Sequence, residues 1–456
     1  MKTNNILIAA ICIAILGQSC KKFLDKKPSN SITTPSTISD LQGILDYSPS
    51  MNLYTTPSLN ELSADNYFFP ADYISLFPGD QQKMYSWQYL EYNYPNDWKA
   101  AYLPVYNANI CLEYLKEIQR TSENAAAWDN VYGSALFFRS YYFSQLTWSF
   151  AKAYDGSTAN ADLGIVLRLT SDFNVQSTRS TVQQSYDRII TDSKEALKYL
   201  PSISQHSLRP SKAAAYGLLA RTYLSMREYN EALKYADSCL LIKGDLLDYK
   251  NTSEVSTSNN PFLQYNKETI FYSTMYDKYT IFSRTAGALI DTTLYSSYAA
   301  NDKRKTVFFR SGTFPPYFAW KGNYTGTGSI FFSGIATDEI YLIRAECLAR
   351  SGNKDGALAD LNLLLQKRYD ATFVPIVASD ADVVLVRILL ERRKELLFRG
   401  LRWIDIKRLN KEGGNIAIKR FIGPATYILM PNANYYALPL PSDIISITGM
   451  QQNIYP

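Results

Sequence analysis

The stretch Ala220-Arg221-Thr222-Tyr223-Leu224 … Ala232-Leu233 is echoed at Ala345-Glu346-Cys347-Leu348-Ala349 … Ala357-Leu358. In both, an alanine recurs twelve positions later, across a polar turn, at the start of a second apolar-periodic run. Small residues where two helices cross let the backbones approach. The pattern is that of a tetratricopeptide-type helix–turn–helix repeat. Three or more such units are needed to bury a continuous core, so the copies at 211–243 and 337–369 must stack with other helices. Two unrelated helical hairpins are the alternative reading.

Working outward, the partners for such a stack are present. Asp97 to Ile118 places Trp98, Tyr102, Val105, Leu112 and Leu115 at helical spacing, and Asn130 to Ala151 is another long helical candidate. Thr181 to Leu200 is the clearest: Thr181 and Gln184 form a capping box ahead of the stripe Val182, Tyr186, Ile189, Ile190, Ala196, Leu197 and Leu200. The expected fold is therefore mostly α, with tetratricopeptide-like helix pairs forming a scaffold over about 97–250 and 337–410. Leu385, Ile388, Leu389 and Leu396 give a last helix its apolar stripe, and Gly400 is expected to cap it. Glu391, Arg392, Arg393 and Glu395 would cover its polar face, solvated or locally paired, with Trp403 packed back on the bundle.

Composition decides what the remainder does. The chain has 456 residues, 46% apolar and 20% charged, which is ordinary for a globular protein. Its formal net charge is only +5, with no basic stripe, which argues against nucleic acid. It holds one histidine, His206, but 36 Tyr, 21 Phe and 6 Trp. A single histidine excludes His-rich metal sites, and no HExxH, GxSxG or phosphate-loop motif occurs. His206 lies in the loop Ser204-Gln205-His206-Ser207 and reads as an exposed loop side chain. No metal, cofactor or catalytic residue is assigned. A hydrolase built on two carboxylates stays open as an alternative, because sequence alone does not locate such a pair.

The aromatic residues are unevenly placed. Residues 51–110 hold 14 of them and residues 261–332 hold 18. Both stretches depart from helical patterning and read as an irregular, loop-rich subdomain with short strands possible, its regions at about 51–96 and 261–332. Loops on a rigid helical frame are where binding residues tend to sit. Tyr and Trp rings pack against the C–H faces of sugar rings at little conformational cost. The candidate ligand-binding residues are Trp320 with Tyr317 and Phe318, then Asp65, Tyr67 and Trp87. Each could equally close the subdomain's own core.

The first twenty residues read as an address. Lys2 precedes an apolar run, Ile6 to Leu16, that is too short to span a bilayer but suits a secretory signal. Leu16-Gly17-Gln18-Ser19-Cys20 resembles a bacterial lipobox, with Leu16 four residues before the cysteine. Residues 1–19 are then the signal peptide, Cys20 is the lipidated mature start, and 20–456 form one domain. Cys111, Cys239 and Cys347 sit in apolar helical patterns as small buried hydrophobes, with a disulfide between two of them left open.

Six motifs, in order, resemble the SusD/RagB-like nutrient-binding lipoproteins of Gram-negative outer membranes. They are Cys20-Lys21-Lys22-Phe23-Leu24-Asp25-Lys26-Lys27-Pro28; Trp98, Tyr102 and Asn109 on one helix; Phe137-Phe138-Arg139-Ser140-Tyr141-Tyr142-Phe143; Asp338 to Glu346; Glu391-Arg392-Arg393-Lys394-Glu395-Leu396 with Arg402-Trp403-Ile404-Asp405-Ile406-Lys407-Arg408; and Pro439-Leu440-Pro441 with Gln452-Asn453-Ile454-Tyr455-Pro456. The resemblance implies a non-enzymatic, lipid-anchored protein of the outer membrane, facing the cell exterior. It also implies capture of an oligosaccharide, or in some relatives a peptide, and transfer to a partner SusC-like TonB-dependent transporter. Lys21 and Lys22 depart from the acidic residues that often follow the cysteine of surface-exposed relatives. A helical-repeat adaptor with no small ligand is the alternative from another class.

Overall fold

Ten helices of nine or more residues carry the described part of the chain: α1 (Ile38–Asp46), α2 (Asp97–Leu115), α3 (Ala125–Phe150), α4 (Val182–Tyr199), α5 (Lys212–Met226), α6 (Tyr229–Ile242), α7 (Thr337–Arg350), α8 (Lys354–Arg368), α9 (Ala381–Glu395) and α10 (Arg402–Asn410). The computed structural model describes residues 34–279 and 287–454. Cys20, the 1–19 segment and the last two residues of the terminal motif lie outside them. Residues from Ile38 onward form one compact unit, and no described helix is long and apolar enough to cross a membrane.

The expected repeats form and stack. Helices α2 to α8 pack each on the next, and α9 packs on α7. The two echoed segments are the pairs α5–α6 and α7–α8, and α6 lies against α7 although 94 residues separate them. Ala220, Ala232, Ala345 and Ala357 are all fully buried at these crossings. Chain reversal after α5 uses Arg227 in the left-handed region (φ 68), with Glu228 N–H donating to Tyr223 O. After α7 the same task falls to Gly352 (φ 82). The Thr181–Gln184 capping box is present in both halves: the Thr181 hydroxyl accepts from Gln184 N at 3.1 Å, and the Gln184 side chain accepts from Thr181 N at 2.9 Å.

Helix α3 lies at the centre. From Gly133 to Phe150 every residue is buried, including Phe137, Tyr141, Tyr142, Phe143 and Trp148. A helix enclosed on all sides shows no amphipathic stripe, and burial of each large ring contributes on the order of 1.5–3 kcal/mol. Cys111, Cys239 and Cys347 are buried free thiols, so none of them forms a disulfide.

Two expectations about the last helix are corrected. Helix α9 ends at Glu395, and Gly400 (φ 74) follows a four-residue turn instead of capping it. That turn buries Leu396, Leu397 and Phe398 and brings Gly400 N–H to the Glu61 carboxylate at 2.9 Å. The charged face is also not solvated: Glu391, Arg392 and Glu395 are buried, at 0%, 3% and 0% exposed. They face charges from distant segments that the local pattern does not reveal. Trp403 is fully buried against Tyr436, as expected of a side chain packed back on the body.

Around the array lie short antiparallel strand pairs, each two-stranded among the described residues. β1 (Tyr67–Phe68) pairs with β2 (Leu289–Ile290), joining the two aromatic-rich stretches, and β3 (Phe309–Ser311) forms a hairpin with β4 (Phe318–Trp320). Beneath β1, Glu61 accepts from the Asn66 amide at 3.0 Å and from Gly400 N–H. Burial outweighs both bonds and pushes its carboxyl up to about 7. A raised carboxyl stabilises the fold fully below its unfolded value near 4.5, and this is lost as pH rises through 7. The replacement Glu61→Gln keeps both contacts if the Asn66 amide turns, since Asn66 Oδ1 has no partner. Urea titrations should show Glu61→Gln gaining about 2 kcal/mol on wild type between pH 5 and pH 8; parallel pH curves would contradict this assignment.

Candidate functional site

The hairpin β3–β4 projects its rings according to strand alternation. Phe318 and Trp320 share one face, and Ala319 lies opposite and is buried. The reversal is closed by Gly312 N–H donating to Tyr317 O at 2.8 Å and Tyr317 N–H to Phe314 O at 3.0 Å. Gly312 is required there: a Cβ would stand 2.8 Å from Tyr317 O and 2.6 Å from Leu289 Cδ2.

Tyr317 is the most open ring of this hairpin, 38% exposed, and meets Phe68 edge-on with centroids 5.3 Å apart. Phe314 meets Tyr73 at 5.0 Å, and Phe318 stacks on Tyr295 at 4.0 Å and 11°. Trp320 is half-buried against Phe308 and Phe398, and its indole N–H donates to Asn323 Oδ1 at 2.8 Å. Rings from both aromatic-rich stretches thus meet at this hairpin, Phe68 and Tyr73 against Tyr317 and Phe314, while Tyr295, with the Lys305 ammonium 5.0 Å over it, covers Phe318. Such a face offers stacking platforms with polar groups at its border.

The other sequence candidates fall elsewhere. Tyr67 and Trp87 are buried, 1% and 5% exposed, and with Tyr85 they surround the Arg420 guanidinium at 4.8, 5.5 and 4.3 Å. That guanidinium also donates to the carbonyls of Tyr67 and Ala64. These rings therefore hold an internal cation, and neither is open to a ligand. Asp65 makes a two-pronged bond to Arg402 at 2.7 and 2.9 Å and lies 3.2 Å from Arg393. Burial opposes its ionisation, but the Arg402 and Arg393 guanidiniums prevail and hold its carboxyl well below the usual range. Its oxygens are committed to tying α9 and α10 to the loop subdomain. His206 is exposed, edge-on to Tyr265 at 4.5 Å.

A second concavity was not indicated by the sequence. It is a groove of about 510 Å³ along α2, lined by Tyr102, Tyr106, Arg168, Phe173 and Met450 among others. Phe173 is 77% exposed and stacks on Tyr106 at 5.0 Å. The available signal was an isolated ring in the polar segment Ser171-Asp172-Phe173-Asn174 and a tyrosine off the apolar stripe of α2. The polar side chains of this groove are largely spent on the protein: Asn109 donates to Arg168 O and Thr170 O, and Tyr102 to Val166 O.

Comparison with known proteins decides the lineage. Residues 22–224 match a SusD-like family model described as starch-binding, associating with the outer membrane, and residues 222–453 match the model of the SusD family. The chain belongs to the SusD family. A SusD superfamily protein from Bacteroides vulgatus is 20% identical, with 92% of this chain and 100% of that one aligned at a TM-score of 0.75. One from Bacteroides thetaiotaomicron is 19% identical, over 92% and 100%, at 0.71. A SusD-like carbohydrate binding protein from Bacteroides vulgatus is 19% identical, over 91% and 97%, at 0.64. A search of curated proteins returns no match.

In this SusD-family chain the motif residues are mostly buried ties between helices. Arg139 binds Asp192 two-pronged at 2.7 and 2.9 Å and reaches Asn109 Oδ1 at 3.1 Å, locking α3 to α4 and α2. Arg221 on α5 pairs with Glu339 on α7, Glu346 on α7 with Arg408 on α10, and Arg392 on α9 with Asp405 on α10. The SusD motifs therefore describe the frame, whereas the aromatic face lies in segments that carry no motif.

Proposed function

We propose that this SusD-family chain is a nutrient-binding protein that holds an oligosaccharide on the aromatic face around Tyr317, Phe318 and Trp320. In this reading it is anchored to the outer membrane through lipid on Cys20, faces the cell exterior, and passes its ligand to a SusC-like TonB-dependent transporter. It binds and releases the glycan without turning it over. The family description, starch-binding and outer-membrane-associated, supports the ligand class and the location. The observation that carries the reading is the convergence of Tyr317, Phe68, Phe314 and Tyr73, from two distant stretches, on one partly open surface.

Calorimetric titration of the intact protein against a panel of neutral oligosaccharides and of peptides tests it. The expected result is saturable binding of at least one oligosaccharide, recovered chemically intact after prolonged incubation. Binding of peptides alone would replace the ligand class. Binding of neither, with co-purification of a transporter, would leave the adaptor reading in its place.

A further inference from the structure

The groove along α2 takes its walls from three segments: α2 itself, the loop 168–177, and the short helix Ser442–Thr448 with Met450 beyond it. Phe173 stands in that loop, 77% exposed, with Tyr106 its one ring partner among the described residues. The loop backbone is pinned around this ring. Asn109 on α2 donates to Arg168 O at 2.8 Å and Thr170 O at 3.3 Å, and the Glu113 carboxylate accepts from Ser171 N–H at 3.0 Å and from the Ser171 hydroxyl. The Arg168 guanidinium closes the loop from within by donating to Asp172 O and Val175 O. A large apolar ring fixed in contact with water gains free energy when an apolar group covers it.

The volume, about 510 Å³, suits a small organic ligand. Sugar hydroxyls buried here would lose water without gaining partners, because Asn109, Tyr102 and Arg168 are already engaged. One charged group remains. Lys99 lines the groove, is exposed, and pairs with no carboxylate among the described residues; its ammonium lies 5.4 Å from the Tyr94 ring. No Asp or Glu lines the groove, and the carboxylates of the bordering segments are bonded elsewhere: Glu113 to Ser171, Asp172 to Asn174, and Asp443 to the N–H groups of Tyr94 and Ile444. Lys99, Leu103 and Tyr106 follow at steps of four and three and so share one stripe of α2. Two turns, about 10 Å along the axis, separate the cation from the ring pair.

We propose that this groove binds an aromatic carboxylic acid, its ring against Phe173 and Tyr106, its carboxylate at Lys99, and a short apolar chain between them along Leu103. Aromatic pairs gain beyond the area they bury, which favours a ring over an aliphatic chain at Phe173. A single negative charge matches the one cation that no carboxylate of the protein answers. The groove shares none of its lining residues with the Tyr317 face, so this inference stands apart from the oligosaccharide reading.

Calorimetric titration of the intact protein with 4-phenylbutanoate, 4-phenylbutanol and hexanoate at matched ionic strength tests the site. 4-Phenylbutanoate should bind saturably. Hexanoate, which lacks the ring, should bind about tenfold more weakly, and the alcohol, which lacks the charge, about threefold more weakly. Phe173 and Lys99 are both exposed, so their replacements should fold. Phe173→Ala should weaken 4-phenylbutanoate about tenfold, whereas Lys99→Gln should weaken it about threefold and leave the alcohol unchanged. No saturable binding, equal affinity for hexanoate, an unchanged affinity in Phe173→Ala, or a preference for the acid that survives Lys99→Gln would overturn the proposal. Displacement of the bound acid by maltohexaose would also overturn it and assign the groove to sugars.

Discussion

Arg304→Leu should destabilise the protein by about 3–5 kcal/mol, the range for removing one partner from a buried ion pair. Arg304 is 0% exposed and donates to Asp302 at 2.7 and 2.9 Å, to Glu391 at 2.6 Å and to Glu395 at 2.9 Å. Lys394 and Arg368 share these carboxylates, with Lys394 3.1 Å from Asp302 and Arg368 2.6 Å from Glu395. Without Arg304, three buried carboxylates would be left to Lys394, to the partly exposed Arg387, 2.8 Å from Glu391, and to Arg368, which also serves Glu268 at 2.8 Å. The cluster joins α8 and α9 to the short helix Arg304–Phe308 that leads into β3. Loss of order should therefore spread to the hairpin that carries Tyr317. Urea denaturation followed by tryptophan fluorescence measures the effect; a midpoint like that of wild type would show that the cluster adds nothing to the fold.

Gly334→Ala should cost about 3 kcal/mol, at the upper end for overpacking, because the obstacle is backbone. A Cβ at Gly334 would stand 1.9 Å from Phe271 O and 2.7 Å from Phe332 Cζ. The strand pair Thr269–Phe271 with Ile335–Ala336 would have to part, and Gly334 O is itself the acceptor for Arg221 at 2.7 Å. Gly43, inside α1, has nothing within 4 Å of such a Cβ. Gly43→Ala should instead stabilise by roughly 0.5–1 kcal/mol. Opposite shifts in melting temperature are expected for the two replacements, and equal shifts would contradict the local geometry.

How far the sequence could be read depends on the range of the interactions. Capping boxes, small residues at crossings and apolar stripes act within one helix pair, so α2, α4 and the repeats at α5–α8 were legible. Interactions between distant segments were not. The charges of α9 look like a solvated face until Arg304, 87 residues before Glu391, is placed among them. Tyr67 and Trp87 look like ligand rings until Arg420 arrives from more than 330 residues away. The Tyr317–Trp320 cluster was found because its rings lie close together in one short loop. The Tyr106–Phe173 stack joins residues far apart in the chain and was not marked by a motif.

The central claim, that the Tyr317 face holds the ligand, is tested most directly by titrating an oligosaccharide bound by the wild type against Tyr317→Ala and Phe173→Ala. Tyr317 is 38% exposed and rests on Phe68 alone among described ring partners, so its removal should leave the fold intact. A stacked ring contributes about 1–1.5 kcal/mol, so Tyr317→Ala is predicted to weaken binding about tenfold while Phe173→Ala leaves it unchanged. Unchanged affinity in Tyr317→Ala, with the loss falling on Phe173→Ala, would contradict the account and move the site to the groove along α2.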